Sequence, residues 1–372
     1  MRIQRHSLLS PSLGTQREVV SFHYGPPNGV GKVYMQGSLH ADELPGMLTL
    51  HHLRPLLQRA EDQGLLRGEV VLVPVANPIG LDQTLLYDHM GRFEAGSGEN
   101  FNRRYPDFAP LIRDRLASRL GADPEENRRL IRDAMAEALL EVPPLTELES
   151  LRQVLVSLAY DADVVLDLHC DFEAVMHLYV ETPYCAQAEP LMRYLGAQTV
   201  LLARGSGGHS FDEALSGVWW QLDEFFDGRF PIPLSCLSAT VELRGKADVD
   251  HVNAAEDAAR LFDFLVHRGI VAGDPPPLPP ARCEPTPLAG SQTLRAPQAG
   301  VVVFLRQVGE RIEVGDVVAE VIDPISGLAT PVQSGVGGCL FARENRRYAT
   351  RGMDLCKIAG SVPFRTGYLL SA

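Results

Sequence analysis

The chain has 372 residues, 45% of them hydrophobic and 22% charged, close to the averages of roughly 45–50% and about 25% for soluble globular proteins. Its 34 Lys and Arg against 47 Asp and Glu give a formal net charge of −13, which argues against a nucleic-acid partner, since binding a phosphate backbone needs clustered basic surface. The N-terminal MRIQRHSLLSPSLGTQREVV has no continuous apolar leader, and no later run approaches the roughly 18–20 apolar residues of a membrane span.

The expectation is therefore a cytoplasmic protein with a small-molecule partner, no nucleic acid and no membrane; self-association into a homo-oligomer is left open. The length suits one large domain and a smaller one. Six scattered cysteines without a C-x-x-C pair indicate neither a disulfide framework nor a thiolate zinc site.

From about residue 30 to 245, short runs of Val, Leu and Ile alternate with helix-period segments, the α/β pattern. The first strand, 32–38, runs into GSLHADELPG, where His40 and Glu43 stand three apart before a helix over 45–64. That pair suits two metal ligands in a strand-to-helix loop. In isolation it reads first as a polar cap favoured by the helix dipole. A second strand covers 69–77. The Gly-, Asn- and Arg-rich GRFEAGSGENFNRRYPD, 91–107, follows as a loop. Within it Asn102 and Arg103 suit capture of a substrate carboxylate, and Arg92 suits an oxyanion; a solvated turn is the alternative. Residues 108–159 carry the spacing of two or three amphipathic helices, with the last over 147–159, and read as a surface insertion.

The strand 162–169 ends in DVVLDLHCD, with Asp167, His169 and Asp171 at its carboxyl end, where ligands gather in open α/β sheets. His169 completes a His2Glu set with His40 and Glu43, leaving a fourth zinc position for water. Asp167, two residues earlier on the same strand face, suits the support of a ligand imidazole. The alternative is a satisfied surface histidine. Strands over 174–182 and 199–203, with a helix over 186–195 between them, lead to RGSGGHSFDEALSGVWW, 204–220, which reads as a specificity or lid loop in which His209, Trp219 and Trp220 either touch substrate or pack.

The strand 238–245, SATVELRG, ends in Glu242. A carboxylate at that depth is costly unless paired or near a metal. Beside an activated water it is a general base and then acid; beside Arg244 it is an ordinary strand-edge ion pair. A helix over 252–268 closes at Gly269.

The proline-dense AGDPPPLPPARCEPTPLAG marks a boundary. Expected domains are 1–272, with a helical insertion at about 108–159; a linker, 273–290; and a β-rich unit, 291–372. In that last unit AGVVVFL, GERIEVGDVVAEVID and SGVGGCLF resemble the half-barrel of biotinyl and lipoyl carrier domains. No lysine lies between Lys246 and Lys357, so the modified lysine of a carrier is missing and the unit reads as a structural lobe or active-site cover.

Taken together, HADE, NFNRRYP, DLHCD and TVELRG resemble, in order and rough separation, the motifs of the succinylglutamate desuccinylase and aspartoacylase family, a branch of the zinc carboxypeptidase superfamily. The resemblance covers about residues 30–270. It implies a mixed, mostly parallel sheet of about eight strands between helices. It also implies one zinc ion per chain on His40, Glu43 and His169, with Glu242 as the catalytic carboxylate. Asn102 and Arg103 are implied as the carboxylate-binding pair and Arg92 as the oxyanion arginine. The activity implied is hydrolysis of the amide of an N-acylated amino acid or related amine carrying a carboxylate. Two alternatives stand beside it: a zinc carboxypeptidase acting on short peptides, and a noncatalytic binding protein.

Overall fold

The computed structural model describes residues 1–370. Nine strands form the main sheet: β1 (Arg2–Ser7), β2 (Glu18–Tyr24), β3 (Lys32–Gly37), β4 (Glu69–Val73), β5 (Val164–Asp171), β6 (His177–Glu181), β7 (Thr199–Ala203), β8 (Leu237–Gly245) and β9 (Thr286–Pro287). Their spatial order is β1-β2-β4-β3-β5-β8-β6-β7-β9. The pairs from β4 through β3 and β5 to β8, and those joining β6, β7 and β9, are parallel. The β1-β2, β2-β4 and β8-β6 pairs are antiparallel. This is the mixed, mostly parallel α/β sheet expected.

Its central strands are apolar because both faces are covered. On one face Val33, Met35, Leu166 and Leu168 pack with α1 (Pro45–Asp62), α5 (Cys185–Leu195) and α7 (His251–His267). On the other, Tyr34, Val71, Val73 and Val165 pack with α2 (Phe108–Leu116), α3 (Pro124–Glu141), α4 (Glu147–Ala159) and α6 (Phe211–Phe225). Residues 108–159 are thus no surface insertion. Ile112, Ile131, Met135 and Leu155 are fully buried, and these helices supply half of one core layer. Two of the three have a capping start signal: Asp123 of α3 and Thr146 of α4 accept from first-turn amides, and Thr146 with Glu149 forms a capping box.

The proline-dense stretch runs extended along α5, where Arg193 Nε and Tyr194 Oη each donate at 2.6 Å to Pro279 O and Pro276 O. Beyond it lie two small antiparallel sheets. One holds Ser291–Arg295, Asp354–Gly360, Gly338–Arg343 and Arg311–Ile312; the other holds Ala329–Gln333, Val317–Ile322, Gly300–Phe304 and Tyr348–Ala349. They share a core of their own, built on Val302, Val318, Leu340 and Ile358. This unit is joined to the rest by pairing of Glu173 and Ala174 with Arg343 and Ala342, and by Arg343 Nε donating to Glu173 Oε2 at 2.6 Å. No helix among the described residues is long and apolar enough to cross a membrane.

Candidate metal centre and its pocket

The chain leaves β3 through Ser38, whose φ of +64° lies in the left-handed region, and then reaches His40 and Glu43. Helix α1 starts at once, with Gly46 in its first turn pressed against β5: a Cβ there would lie 2.9 Å from both Cβ and O of Leu168. Only glycine permits this approach, and it sets Glu43 against the end of β5.

Glu43 does not cap the helix. The N-cap position is Leu44, without a side-chain cap bond. The Glu43 carboxylate instead lies between two imidazoles, Oε1 at 3.0 Å from His40 Nδ1 and Oε2 at 2.8 Å from His169 Nδ1. Cys170 N also donates to Oε2 at 3.2 Å. All three side chains are buried, and one ligand atom from each lies within 4.8 Å of the others. Burial opposes ionisation of Glu43, yet His40 and His169 hold its carboxyl well below the usual range. Burial works against a charged His169 too, but Asp167 and Glu43 raise it well above the ordinary imidazole value. His40 is lowered by burial and then by the Arg92 charge.

The far nitrogens settle how the rings are held. His40 Nε2 is 2.9 Å from Asn100 Oδ1, an acceptor already taking Asn102 N at 2.8 Å. His169 Nε2 is 2.9 Å from Asp167 Oδ2. Each Nε2 therefore carries the hydrogen, a tautomer assigned from its partner. The raised His169 also carries a proton on Nδ1 and donates it to Glu43 Oε2, whereas the His40 Nδ1 lone pair faces Arg92 Nη1. A divalent metal would take the place of that proton, and a His2Glu set with supported rings suits one. These residues could hold one.

The support extends across the sheet. Asp167 is level with Gln36 of β3 and Thr240 of β8. Gln36 Nε2 donates to Asp167 Oδ1 at 2.9 Å, and Tyr34 Oη donates to Gln36 Oε1 at 2.8 Å. Two residues further on, on the same face, Glu242 is level with His169. Its Oε2 is enclosed without a hydrogen-bond partner, and burial followed by the Glu43 charge pushes its carboxyl up to about 8. It does not pair with Arg244, whose Nη1 donates to Asp257 Oδ1 at 3.2 Å.

The 91–107 loop reaches the same place. Arg92 Nη1 lies 3.3 Å from His40 Nδ1 and 3.6 Å from Glu43 Oε1. Asn102 Oδ1 accepts from Phe211 N at 2.8 Å, and its Nδ2 is 3.5 Å from His169 Nε2. Arg103 Nη1 donates to Asn102 O at 2.7 Å. The eight residues assigned from the sequence to metal, water, oxyanion, carboxylate or ring support are thus gathered, and all but Asp167 line one cavity of about 230 Å³.

The cavity also has a wall no local signal announced. Lys357 of the β-rich unit lines it, with Nζ 2.6 Å from Asp171 Oδ2. Burial disfavours charge on Lys357, but Asp171 raises it above the ordinary lysine value. Asp171 therefore serves Lys357, not the His169 ring. Asn100 and Gln36 were also not singled out, although each lies within or beside a quoted motif. The stretch 204–220 is a loop only as far as Ser210, because α6 begins at Phe211. Trp219 is fully buried in the core, Trp220 Nε1 donates to Glu181 Oε1 at 3.0 Å, and His209 lines a neighbouring cavity instead.

With this geometry in hand, comparisons with known proteins give the following. The model of the succinylglutamate desuccinylase/aspartoacylase catalytic domain matches residues 30–214. A solved structure of a protein of that family from Shewanella frigidimarina NCIMB 400 is 25% identical, covering 96% of this chain and 97% of its own, with a TM-score of 0.84. Another, from Shewanella amazonensis SB2B, is 24% identical over 96% of this chain and 98% of its own, with a TM-score of 0.84. The ectoine utilization protein EutE (DoeB) from Ruegeria pomeroyi, solved with product bound, shares the fold at 15% identity, a TM-score of 0.66, and coverage of 96% and 95%. A search of curated proteins finds no match.

Proposed function

The chain belongs to the succinylglutamate desuccinylase/aspartoacylase family, and on that premise we propose that it is a zinc-dependent hydrolase of the amide bond in a small N-acylated amino acid or related amine. The observation that carries this reading is the convergence of His40, Glu43 and His169 next to Glu242, a carboxylate with an unpartnered oxygen.

A zinc ion on those three residues would supply Lewis acidity, polarising the amide carbonyl and lowering the pKa of water. Glu242 takes the proton of the attacking water and passes it to the leaving nitrogen. Arg92, beside His40 and Glu43, faces the oxygen that gains charge as water adds. Arg103 takes the substrate carboxylate, and Asn102 fixes it by accepting from Nη1. Asp167 holds the His169 ring.

A cavity of about 230 Å³ with Lys357 and Arg343 in its wall favours a small substrate over the peptide of a carboxypeptidase. A binding protein without catalysis leaves Glu242 unexplained. The test is a hydrolysis screen of the zinc-loaded chain against N-acetyl and N-succinyl amino acids and diamino acids, before and after chelation. Loss of turnover on chelation and its return with zinc are expected. Turnover that survives complete metal removal would end the proposal.

A further inference from the structure

Among the carboxylates that line the pocket and that the reaction above does not use, three act on one another: Glu181 at the end of β6, and Asp212 and Glu213 in the first turn of α6. The two on the helix have local reasons to be there. They favour the dipole; Asp212 Oδ1 accepts from Ser210 Oγ at 2.5 Å, and Glu213 Oε1 accepts from Ser206 N. Glu181 is only partly satisfied, by Trp220 and Ser216. It is 5% exposed, Trp220 Nε1 holds only its Oε1, and Oε2 has no hydrogen-bond partner. An enclosed carboxylate oxygen beside two more carboxylates is costly without a positive partner. Burial pushes Glu181 up to about 8 against the hydrogen bonds from Ser216 and Trp220, with Glu213 and Asp212 adding to the rise, and burial raises Asp212 and Glu213 as well. The cation that acts on this group, Arg103, is already shared between Asp212 and Glu213.

The missing partner is organic. Among the described residues, His40, Glu43 and His169 form the one group of donors close enough to hold a metal ion, so the three acids do not converge on a point charge. They border a volume, which suits an ammonium with several N–H donors. We infer that this wall is a subsite for a primary ammonium group. Resting on the hydrolysis proposed above, the inference makes the substrate an N-acylated diamino acid or diamine whose second nitrogen is free.

The register supplies the length. Val180 is level with Ala239 and His177 with Glu242, so Glu181 lies about four residues along the sheet from Glu242, or on the order of 13 Å between backbones. Side chains reaching in from both ends shorten this to the span of an Nα-acyl ornithine or lysine. Thr240, on the same face between them, lines the cavity.

The experiment uses the zinc-loaded full chain. Hydrolysis of Nα-acetyl-L-ornithine is compared with that of Nα-acetyl-L-norleucine, which has the same chain length and a methyl in place of the ammonium. Ornithine and norleucine are also titrated into the protein by calorimetry. We expect kcat/KM and affinity to be at least tenfold higher for the ammonium compound, and both ratios to fall within threefold of unity in Glu181→Gln, or in Glu213→Gln should the first variant not fold. Equal handling of the two compounds overturns the subsite and leaves the hydrolase standing. Glu181-dependent binding of ornithine without hydrolysis of any N-acyl compound supports the subsite and overturns the hydrolase. A preference for ornithine unchanged in both variants overturns the assignment to this wall.

Discussion

The support of His169 can be tested by a single atom exchange, Asp167→Asn. In the native chain Asp167 accepts from Gln36 Nε2 on one oxygen and faces His169 Nε2 with the other, at 2.9 Å in each case. Gln36 cannot turn to suit the variant, because Tyr34 Oη donates to its Oε1. The amide oxygen of the new Asn must therefore stay toward Gln36, which sends its NH2 group toward His169 Nε2. Two N–H groups then oppose each other. The ring relieves the clash by moving its hydrogen to Nδ1, the atom that faces Glu43 and is needed as a ligand. Loss of such an outer partner costs about 10- to 100-fold in metal affinity, or about 1.4–2.8 kcal/mol. Zinc affinity measured by competition with a chromophoric chelator should fall by that factor, with turnover at saturating zinc also reduced. A variant that binds zinc within threefold of the native protein would refute the tautomer argument.

Three further outcomes are expected. Glu242→Gln should retain one zinc per chain by metal analysis while kcat drops about 10²- to 10⁴-fold, the usual contribution of a general base. Gly46→Ala must move α1 away from Leu168; overpacking of this kind costs about 1–3 kcal/mol, so urea unfolding should shift to lower concentration and zinc affinity should fall as Glu43 is displaced. Glu181 ionises in the unfolded chain near the ordinary carboxylate value but at about 8 when folded, so its contribution is intact below about pH 4 and is lost as pH rises toward 8. Without ligand, the stability advantage of Glu181→Gln over the native chain should therefore grow by about 2–4 kcal/mol between pH 5 and 8.5; an equal gap at both pH values would count against it.

How far the sequence reached follows from which forces are local. The carboxyl ends of β5 and β8 were legible because an apolar strand covered on both faces has no use for a terminal Asp, His or Glu unless something there employs it. His40 and Glu43 were ambiguous between cap and ligand, since only the packing of Gly46 on Leu168 decides which way Glu43 points. The helices of 108–159 were found by their period, but their burial was not, because charged outer faces dominate the composition. In 204–220 a glycine-rich start masked the acidic first turn and apolar stripe of α6. β1, largely exposed at the sheet edge, and β2 beside it lie before the region where the α/β alternation is plain, and were not picked out. Lys357 had no local signal at all, as its place depends on how a unit more than a hundred residues further on docks against Glu173.

That docking sets an order of events during synthesis, when chains fold from the N-terminal end as they emerge. The candidate metal ligands, at positions 40, 43 and 169, and Glu242 leave the ribosome well before Arg343 and Lys357. A metal ion could therefore bind there while one side of the cavity is still open water. The wall that carries Arg343 and Lys357 is added only with the last strands, so a protein cut short at the proline-dense stretch would keep His40, Glu43, His169 and Glu242 and lose that side of the cavity.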